Sequence, residues 1–352
     1  MTRQRFISRL GILTASVFAF TTVSTTSADP LPGRDILKFS QRPMLATTLV
    51  GPDGQTEVFN GHDELSTAWS FYNQQIPGGP LDFAGYRGEF MADDFADKFA
   101  SPVVHVKWWG SYLNQLTNPG LGGVDKFLIS FESDIPADPL TGFSRPGEPL
   151  LNQVVRLDPD GVLTPGEGTF TEIIAHPVSV DGPIYEYNAE LHLGKEFFQE
   201  PDTVYWLKIV ALVDVEPGVD PNNPDANVIR WGWHNRDYTI MDPLASTPPA
   251  VFPGEHIQGF LPAAGGDIPI WHFQDDSVNG FVQVTPSDMG GLQMPDVVQD
   301  VLGPQHYLPP WDGPSLIAQY SKDLAFELYT VPEPAAMTLL CLGALAIMSR
   351  RH

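Results

Sequence analysis

Apolar and polar residues alternate along residues 184–193. Tyr185, Tyr187 and Ala189 fall on one face of an extended segment, and their polar neighbours fall on the other. Successive side chains of a β-strand point to opposite faces, so strict alternation has the period of a strand. The segment is therefore predicted to be a half-buried strand.

Six other segments are rich in β-branched and aromatic residues and are separated by clusters of Pro, Gly, Asn and Asp. This composition is typical of strands joined by turns. The segments are residues 103–109, 126–131, 203–213, 228–233, 278–284 and 324–330.

Long segments with the 3.6-residue period of a helix are absent from the body of the chain. Residues 62–70 and 294–302 are the places where a single short helix is expected. Residues 214–227 contain three prolines and a glycine and predict a surface loop rather than a domain linker, because a strand-like run lies on either side.

Many strands with turn-rich connections favour an all-β fold, a β-sandwich or jelly roll, over alternating α/β units. We assign this fold to an ectodomain spanning residues 29–331. Its length is large for one sandwich, so long loops or added strands are expected.

The composition agrees with a folded, loop-rich protein. Hydrophobic residues make up 42% of the 352 positions, which is enough to build a core. The 34 prolines and 32 glycines together stay below the proline and glycine content typical of disordered chains. The 43 acidic and 19 basic residues give a net charge of -24. Because this charge repels phosphate backbones, nucleic acid is not expected as a partner.

The N-terminus has the pattern of an export signal. Arg3, Arg5 and Arg9 precede a mostly apolar stretch, and small residues end at Ala28. A basic segment, an apolar segment and a small-residue cleavage site define a secretory signal peptide. Residues 1–28 are therefore predicted to be a signal peptide that signal peptidase cleaves after Ala28.

The only cysteine, Cys341, lies near the C-terminus, outside the predicted ectodomain. The ectodomain therefore has no internal disulfide, although export would permit one. The same count excludes a thiol nucleophile and a cysteine-rich zinc site there.

A second apolar segment, residues 335–349, is followed by Arg350 and Arg351. As a helix of 15 residues it would span about 22 Å, which is short of the roughly 30 Å hydrocarbon core of a bilayer. We interpret it as a short transmembrane helix in the inner membrane. The arginines would stay on the cytoplasmic side and the body on the exported side. The alternative is a buried C-terminal helix of the globular domain.

Three features follow one another at the C-terminus: Pro332-Glu333-Pro334, the apolar helix, and Arg350-Arg351. Together these features, within residues 332–352, resemble the PEP-CTERM sorting signal of bacterial exported proteins. The resemblance implies that an exosortase, a membrane-embedded transpeptidase-like enzyme, recognises the signal and removes it, with Glu333 as a recognition residue. It also implies transient anchoring in the inner membrane and a final place at the cell surface or in the extracellular matrix.

The body also resembles a β-rich ectodomain that recurs in proteins with this sorting signal. That ectodomain has no assigned activity to carry over. The similar segments are residues 92–95, 107–112, 133–137, 144–148 and 323–328.

Standard catalytic signatures are missing from the sequence. It contains no HExxH, GxSxG, P-loop or Rossmann glycine motif, and its nine histidines form no ligand-like pair on one helix. A non-enzymatic protein is therefore expected. A secreted hydrolase remains an alternative. With 43 acidic residues, it is almost inevitable that two carboxyl groups lie at the distance that separates the catalytic pair of a glycosidase.

Acidic clusters in predicted loops are candidate calcium ligands, since Ca²⁺ prefers carboxylate oxygens. The candidates are Asp93, Asp94, Asp158 and Asp160. None of them matches an EF-hand loop. The alternative for each cluster is a solvated acidic surface that keeps the protein soluble.

Tryptophans in predicted strands are candidate stacking platforms for a sugar ring. Trp231 and Trp233 share a face of their strand, and Trp109 lies opposite its neighbour. A carbohydrate-binding module acting on extracellular polysaccharide is therefore the main alternative function. For each tryptophan, packing in the core is the competing interpretation.

Overall fold

The computed structural model describes eleven parts of the chain with their side chains, and four short strands by their backbone alone. The parts with side chains are residues 35–45, 61–74, 77, 79–113, 123–136, 140, 143–176, 182–222, 228–237, 277–303 and 323–331. Strands at residues 47–50, 56–59, 260–263 and 266–269 are described by their backbone, as is residue 304. The predicted signal peptide and the C-terminal tail lie outside the described residues.

The described part of the chain is all β, with no helix, which confirms the all-β class; the finer assignment to a β-sandwich or jelly roll stays a prediction. The strands are β1 (Ile36–Gln41), β2 (Thr47–Val50), β3 (Thr56–Phe59), β4 (Asp63–Leu65), β5 (Thr67–Gln74), β6 (Leu81–Phe95), β7 (His105–Tyr112), β8 (Lys126–Ile135), β9 (Arg145–Leu157), β10 (Thr169–His176), β11 (Ile184–Glu190), β12 (Tyr205–Val213), β13 (Trp231–His234), β14 (Phe260–Ala263), β15 (Gly266–Pro269), β16 (Val278–Ser287), β17 (Gly291–Pro304) and β18 (Phe326–Thr330).

Fourteen of these strands form one open sheet. Its main path is β1-β18-β7-β11-β10-β9-β8-β12-β5-β6-β16-β17, and β13 pairs with both β7 and β4. The pairs β9–β10 and β12–β5 are parallel, and the other pairs along the path are antiparallel. The pairs β2–β3 and β14–β15 form two small separate sheets.

The sheet is strongly curved, because side chains from strands far apart along its path meet in one core. Trp108 on β7 lies 5.1 Å, between ring centroids, from Phe127 on β8. Phe39 on β1 lies 5.9 Å from Phe95 on β6. Opposite parts of the one sheet therefore face each other across the main core, and burial of these aromatic rings stabilises it.

Ser66, the residue between β4 and β5, connects the opposite parts of the sheet. Its amide donates to the carbonyl of Trp231 at 3.0 Å, and its hydroxyl donates to the carbonyl of Ile209 at 2.5 Å. The amide of Met91 donates to the same hydroxyl at 3.0 Å. One buried serine thus satisfies backbone groups of β13, β12 and β6.

A second core lies on the outer face of β5, β6, β8 and β12. Phe90 and Trp206 are buried there against valines of β16, and partly buried residues of β17 pack against the same cluster. Gln299 of β17 donates to Glu132 of β8 at 2.7 Å. The β16–β17 hairpin therefore folds back over the sheet and covers this core.

The expectation of short helices at residues 62–70 and 294–302 is wrong. The first segment forms β4 and the start of β5, and the second lies within β17, where Val297 pairs with Val284. Pairing to neighbouring strands overrides a local pattern that is too short to specify a helix. The predicted loop after β12 is confirmed for residues 214–222, and residues 223–227 lie outside the described part.

Candidate functional site

The three tryptophans predicted as sugar platforms belong to the interior. Trp231 and Trp233 are 0% exposed and Trp109 is 6% exposed. The indole N–H of Trp231 donates to the hydroxyl of Tyr187 at 3.0 Å, and that of Trp233 donates to the carbonyl of Ala325 at 2.9 Å. Because a buried indole cannot stack on a sugar at the surface, the structure corrects this expectation in favour of core packing.

Asp93 and Asp94 are also buried, in strand β6 rather than in a loop. The carboxylate of Asp93 accepts hydrogen bonds from the amides of Leu324, at 2.6 Å, and Asp94, at 3.0 Å. Burial, followed by the negative charge of Asp323, raises the pKa of Asp93 well above its usual range. Asp93 thus links β6 to Leu324, two residues before β18, and the burial of both aspartates corrects the expectation of an exposed calcium loop.

Asp158 and Asp160 lie in the turn after β9, as expected. The carboxylate of Asp158 accepts hydrogen bonds from the amides of Asp160, at 2.9 Å, and Val162, at 3.2 Å. This is the local hydrogen bonding by which aspartate stabilises a turn. The geometry explains the acidic residue at this position without a cation.

A mixed cluster that the sequence did not indicate lies at one end of the sheet. Oδ2 of Asp35 is 2.9 Å from Nδ1 of His105, and Oε1 of Glu190 is 3.9 Å from the same nitrogen. The side chains of Asp35 and His105 are 0% exposed and that of Glu190 is 1% exposed. The ligand atoms all lie within 4.8 Å of one another, so this cluster could hold a metal ion.

No local sequence pattern indicates this cluster. Asp35 precedes β1, His105 begins β7 and Glu190 ends β11, and Asp35 and His105 are 70 positions apart. Only the pairing of β7 with β11, which aligns Glu190 with His105, brings the last two together.

Another buried polar group lies beside the main core. The hydroxyl of Tyr112 donates to Glu172 at 2.7 Å and accepts from the amide of Val124 at 3.0 Å. Burial, then the negative charge of Glu172, raises the pKa of Tyr112, and burial raises the pKa of Glu172. At neutral pH Tyr112 is therefore a hydrogen-bond donor.

Two neighbouring cavities lie on either side of Pro221 and Asn222 in the loop after β12. One, of about 360 Å³, is lined by Phe71 and Arg87 among others. The second, of about 220 Å³, is lined by Trp69, Glu89, Arg230 and Phe281 among others. Together they form the loop groove, an open surface feature with aromatic and charged side chains.

The family of the chain follows from sequence comparison. Residues 37–258 match the family described as Domain of unknown function (DUF7901). The chain belongs to this family. Residues 330–351 match the PEP-CTERM protein-sorting motif, which confirms the resemblance of the tail. No curated protein and no solved structure matches the chain.

The sorting motif makes this DUF7901 protein an exported protein that an exosortase processes at the membrane. Its candidate residues Pro332, Glu333, Pro334, Arg350 and Arg351 lie outside the described residues, as does Ala28. Among the residues that the structure describes, no helix is both long and apolar enough to cross a membrane. The apolar segment at residues 335–349 is not among them.

The folded unit extends beyond the DUF7901 match. Strands β16, β17 and β18 follow residue 258, yet all three belong to the fourteen-stranded sheet. Strand β18 pairs with β1 on one side and β7 on the other. The ectodomain is therefore complete only with the residues that lead directly into the sorting motif.

Proposed function

We propose that the DUF7901 ectodomain is a non-enzymatic component of the cell surface or extracellular matrix, delivered there through its C-terminal signal. The observation that carries the proposal is the position of the sorting motif. Strand β18 ends at Thr330, and Pro332 begins the Pro-Glu-Pro triplet of the motif two residues later. The sorted domain and its sorting signal are therefore directly joined.

This short connection has two consequences. Cleavage within or after Pro332-Glu333-Pro334 removes no strand of the sheet, so the released ectodomain keeps its fold. Before cleavage, the few residues between β18 and the apolar segment span at most about 3.6 Å each, which keeps the ectodomain close to the membrane surface. The two prolines favour an extended backbone that a cleft of the processing enzyme can accept as a strand.

The test is the intact mass of the protein from its native host, in separate membrane and extracellular fractions. The extracellular form is expected to lack about the first 28 residues and the segment after about Pro334. Added mass on that form would indicate glycosylation or attachment to a matrix polymer. An extracellular form that retains its C-terminus through His352 would contradict delivery by the sorting signal.

A second candidate function, binding of extracellular polysaccharide, is favoured by the loop groove. Phe281 is 52% exposed on β16 and lines the groove beside Glu89 and Arg230. An exposed aromatic ring offers an apolar face on which a sugar ring can stack, and polar groups beside it can fix the orientation of a ligand. The candidate platform is therefore Phe281 rather than the buried tryptophans.

Affinity electrophoresis in gels that contain the host's extracellular polysaccharide tests this candidate. Phe281→Ala is expected to weaken retention up to about tenfold, from the roughly 0.5–1.5 kcal/mol that an aromatic contact contributes. Phe198→Ala is the matched control, because Phe198 is 70% exposed and does not line the groove. Equal retention of both variants, or none by the unaltered protein, would exclude binding at this surface.

A further inference from the structure

The C-terminal end of β18 indicates which end of the ectodomain lies nearest the membrane before cleavage. Thr330, the last residue of this strand, pairs with Ile36 of β1. Four residues separate Thr330 from the apolar segment at residues 335–349, so that segment begins at most about 18 Å from Thr330. While the tail is held in the membrane, the part of the fold around Thr330 therefore lies beside the bilayer surface.

Two loops lie next to this end of β18. The first, residues 96–104, joins β6 to β7, and the second, residues 191–204, joins β11 to β12. The amide of Val104 donates to the carbonyl of Tyr329, the penultimate residue of β18, at 2.9 Å. The amide of Leu191 donates to the carbonyl of Val104, also at 2.9 Å. We call these two segments the exit loops, because they lie where the chain leaves the fold.

Backbone hydrogen bonds join the exit loops to each other. Val103 and Phe197 exchange both of their backbone hydrogen bonds, at 2.8 and 3.1 Å. The amide of Asp202 donates to the carbonyl of Asp97 at 2.8 Å. Because the loops are joined at two places and the first is also bound to β18, both have a fixed position beside the point where the chain leaves.

Large apolar side chains are exposed in both exit loops. Leu193 is 81% exposed, Phe198 is 70% exposed and Phe99 is 40% exposed. Apolar side chains that enter the boundary between lipid headgroups and acyl chains bind a membrane in proportion to the area removed from water. Aromatic rings are also enriched at this depth of the bilayer. These three side chains therefore suit a surface that contacts lipid.

The charge of the exit loops allows this contact, although the protein as a whole is acidic. Lys98 and Lys195 are exposed, as are Glu200 and Asp202, and Glu196 is partly exposed. Two positive and three negative groups nearly balance, whereas the whole chain carries a net charge of -24. Anionic lipids repel the acidic body but repel this end only weakly. The lysine side chains can also extend to the headgroups.

We propose that the exit loops dock on the bilayer until the exosortase removes the tail, with Phe99, Leu193 and Phe198 in the headgroup region. This inference rests on the proposed delivery through the sorting signal, because the tail holds the loops at the surface. The docked loops fix the orientation of the ectodomain while the Pro-Glu-Pro triplet is presented to the enzyme. Once the tail is removed, the acidic body leaves the surface.

The loop groove lies toward the opposite end of β7. Leu65, which lines the groove, pairs with Gly232, and Gly232 pairs with Ser111 of β7. Ser111 is six residues from His105, where the first exit loop ends, and six residues of a strand span about 20 Å. A groove residue such as Phe281 therefore serves as a control for contacts made by the exit loops.

The experiment measures hydrogen exchange by mass spectrometry on residues 29–352, held by the tail in nanodiscs of phosphatidylethanolamine and phosphatidylglycerol. The processed extracellular form is the reference. Exit-loop amides are expected to exchange about tenfold more slowly in the nanodisc, the factor that burial of one large apolar side chain supplies. Phe99→Ser with Phe198→Ser is expected to abolish this slowing. Phe281→Ser is the matched control, since Phe281 is 52% exposed, and is expected to keep it.

Equal exchange in the nanodisc and in the extracellular form would overturn docking and leave delivery by the sorting signal intact. Failure of the chain to stay in the nanodisc would contradict anchoring by the tail, and docking with it. Slowing that appears only when exosortase is added would show that the loops contact the enzyme and not lipid. Circular dichroism reports folding; if the double variant does not fold, Leu193→Ser provides the same test at a residue that is 81% exposed.

Discussion

At the scale of the residue, Trp231 and Trp233 show what the alternation of apolar and polar residues can predict about a side chain and what it cannot. The period of two correctly places both side chains on one face of β13, but it does not specify which face is covered. That depends on Phe127 and Tyr187, whose rings pack against Trp231, and on Phe326, whose ring packs against Trp233. None of these neighbours is adjacent in sequence, so burial of the tryptophans could not be predicted locally.

Trp231→Ala is expected to destabilise the fold strongly. The indole is 0% exposed and lies 4.9 Å from the ring of Phe127, so its removal leaves a cavity and costs about 3–5 kcal/mol. Urea unfolding measures this loss. Met289→Ala is the control: its side chain is 98% exposed, and the change is expected to stay within about 0.5 kcal/mol. Similar values for both variants would contradict the position of Trp231 in the core.

Glu172→Gln tests the buried polar group. Burial raises the pKa of Glu172 in the folded protein above its ordinary value of 4.5. Between these two pKa values the folded state binds more protons than the unfolded state, so the free energy of unfolding falls as pH rises. Glutamine keeps an oxygen that accepts from Tyr112 but does not titrate. As pH rises from about 4.5 to the raised pKa of Glu172, the free energy of unfolding is therefore expected to fall less for the variant than for the unaltered protein.

Urea unfolding at a series of pH values measures that difference. Glu167→Gln is the control, because Glu167 is exposed in the turn before β10. Its pH dependence is expected to match that of the unaltered protein. A Glu172→Gln profile parallel to the unaltered profile would show that Glu172 does not titrate differently on folding.

At the scale of the element, composition predicted the central strands but not those with unfavourable residues. β7, β8, β11 and β12 lie where runs of β-branched and aromatic residues indicated them. β6 was missed because it contains Gly85, Gly88 and the Asp93–Asp94 pair, residues of low strand propensity. Its pairing with β5, β12 and β16 overrides that propensity.

Gly280→Val is expected to loosen the β16–β17 hairpin. A Cβ atom at position 280 would collide with the carbonyl of Asp300 and the ring of Phe90, so the added side chain costs about 1–3 kcal/mol as overpacking. Phe281→Val, one residue along and 52% exposed, is the control with the same new side chain. Hydrogen exchange of β16 and β17 amides is expected to accelerate in the first variant only. Equal exchange in both would mean that the hairpin does not pack at Gly280.

At the scale of the whole molecule, the all-β class could be predicted, whereas the order of strands could not. The last strand, β18, lies between β1 and β7, and the hairpin β16–β17 extends the opposite end of the sheet. Such pairings join segments hundreds of positions apart, so no local sequence pattern predicts them. The Asp35, His105 and Glu190 cluster depends on the same long-range pairings, which is why sequence reasoning missed it.

Variants of the sorting motif separate recognition of the tail from its insertion in the membrane. Glu333→Ala keeps the apolar helix and both arginines, so insertion is expected to be normal and C-terminal cleavage to be blocked. Arg350→Gln with Arg351→Gln removes the charges that stay on the cytoplasmic side, so orientation and processing are both expected to fail. Intact mass reports cleavage, and protease accessibility of the ectodomain in spheroplasts reports orientation.

Each variant is the other's control, because both disturb the tail but only the second changes its charge balance across the membrane. Normal cleavage of the Glu333→Ala variant would show that the processing enzyme does not recognise the carboxylate of Glu333. Normal orientation of the arginine variant would show that the helix or the exported ectodomain alone determines topology. In both cases the ectodomain is expected to remain folded, since β18 ends at Thr330, before the first altered residue.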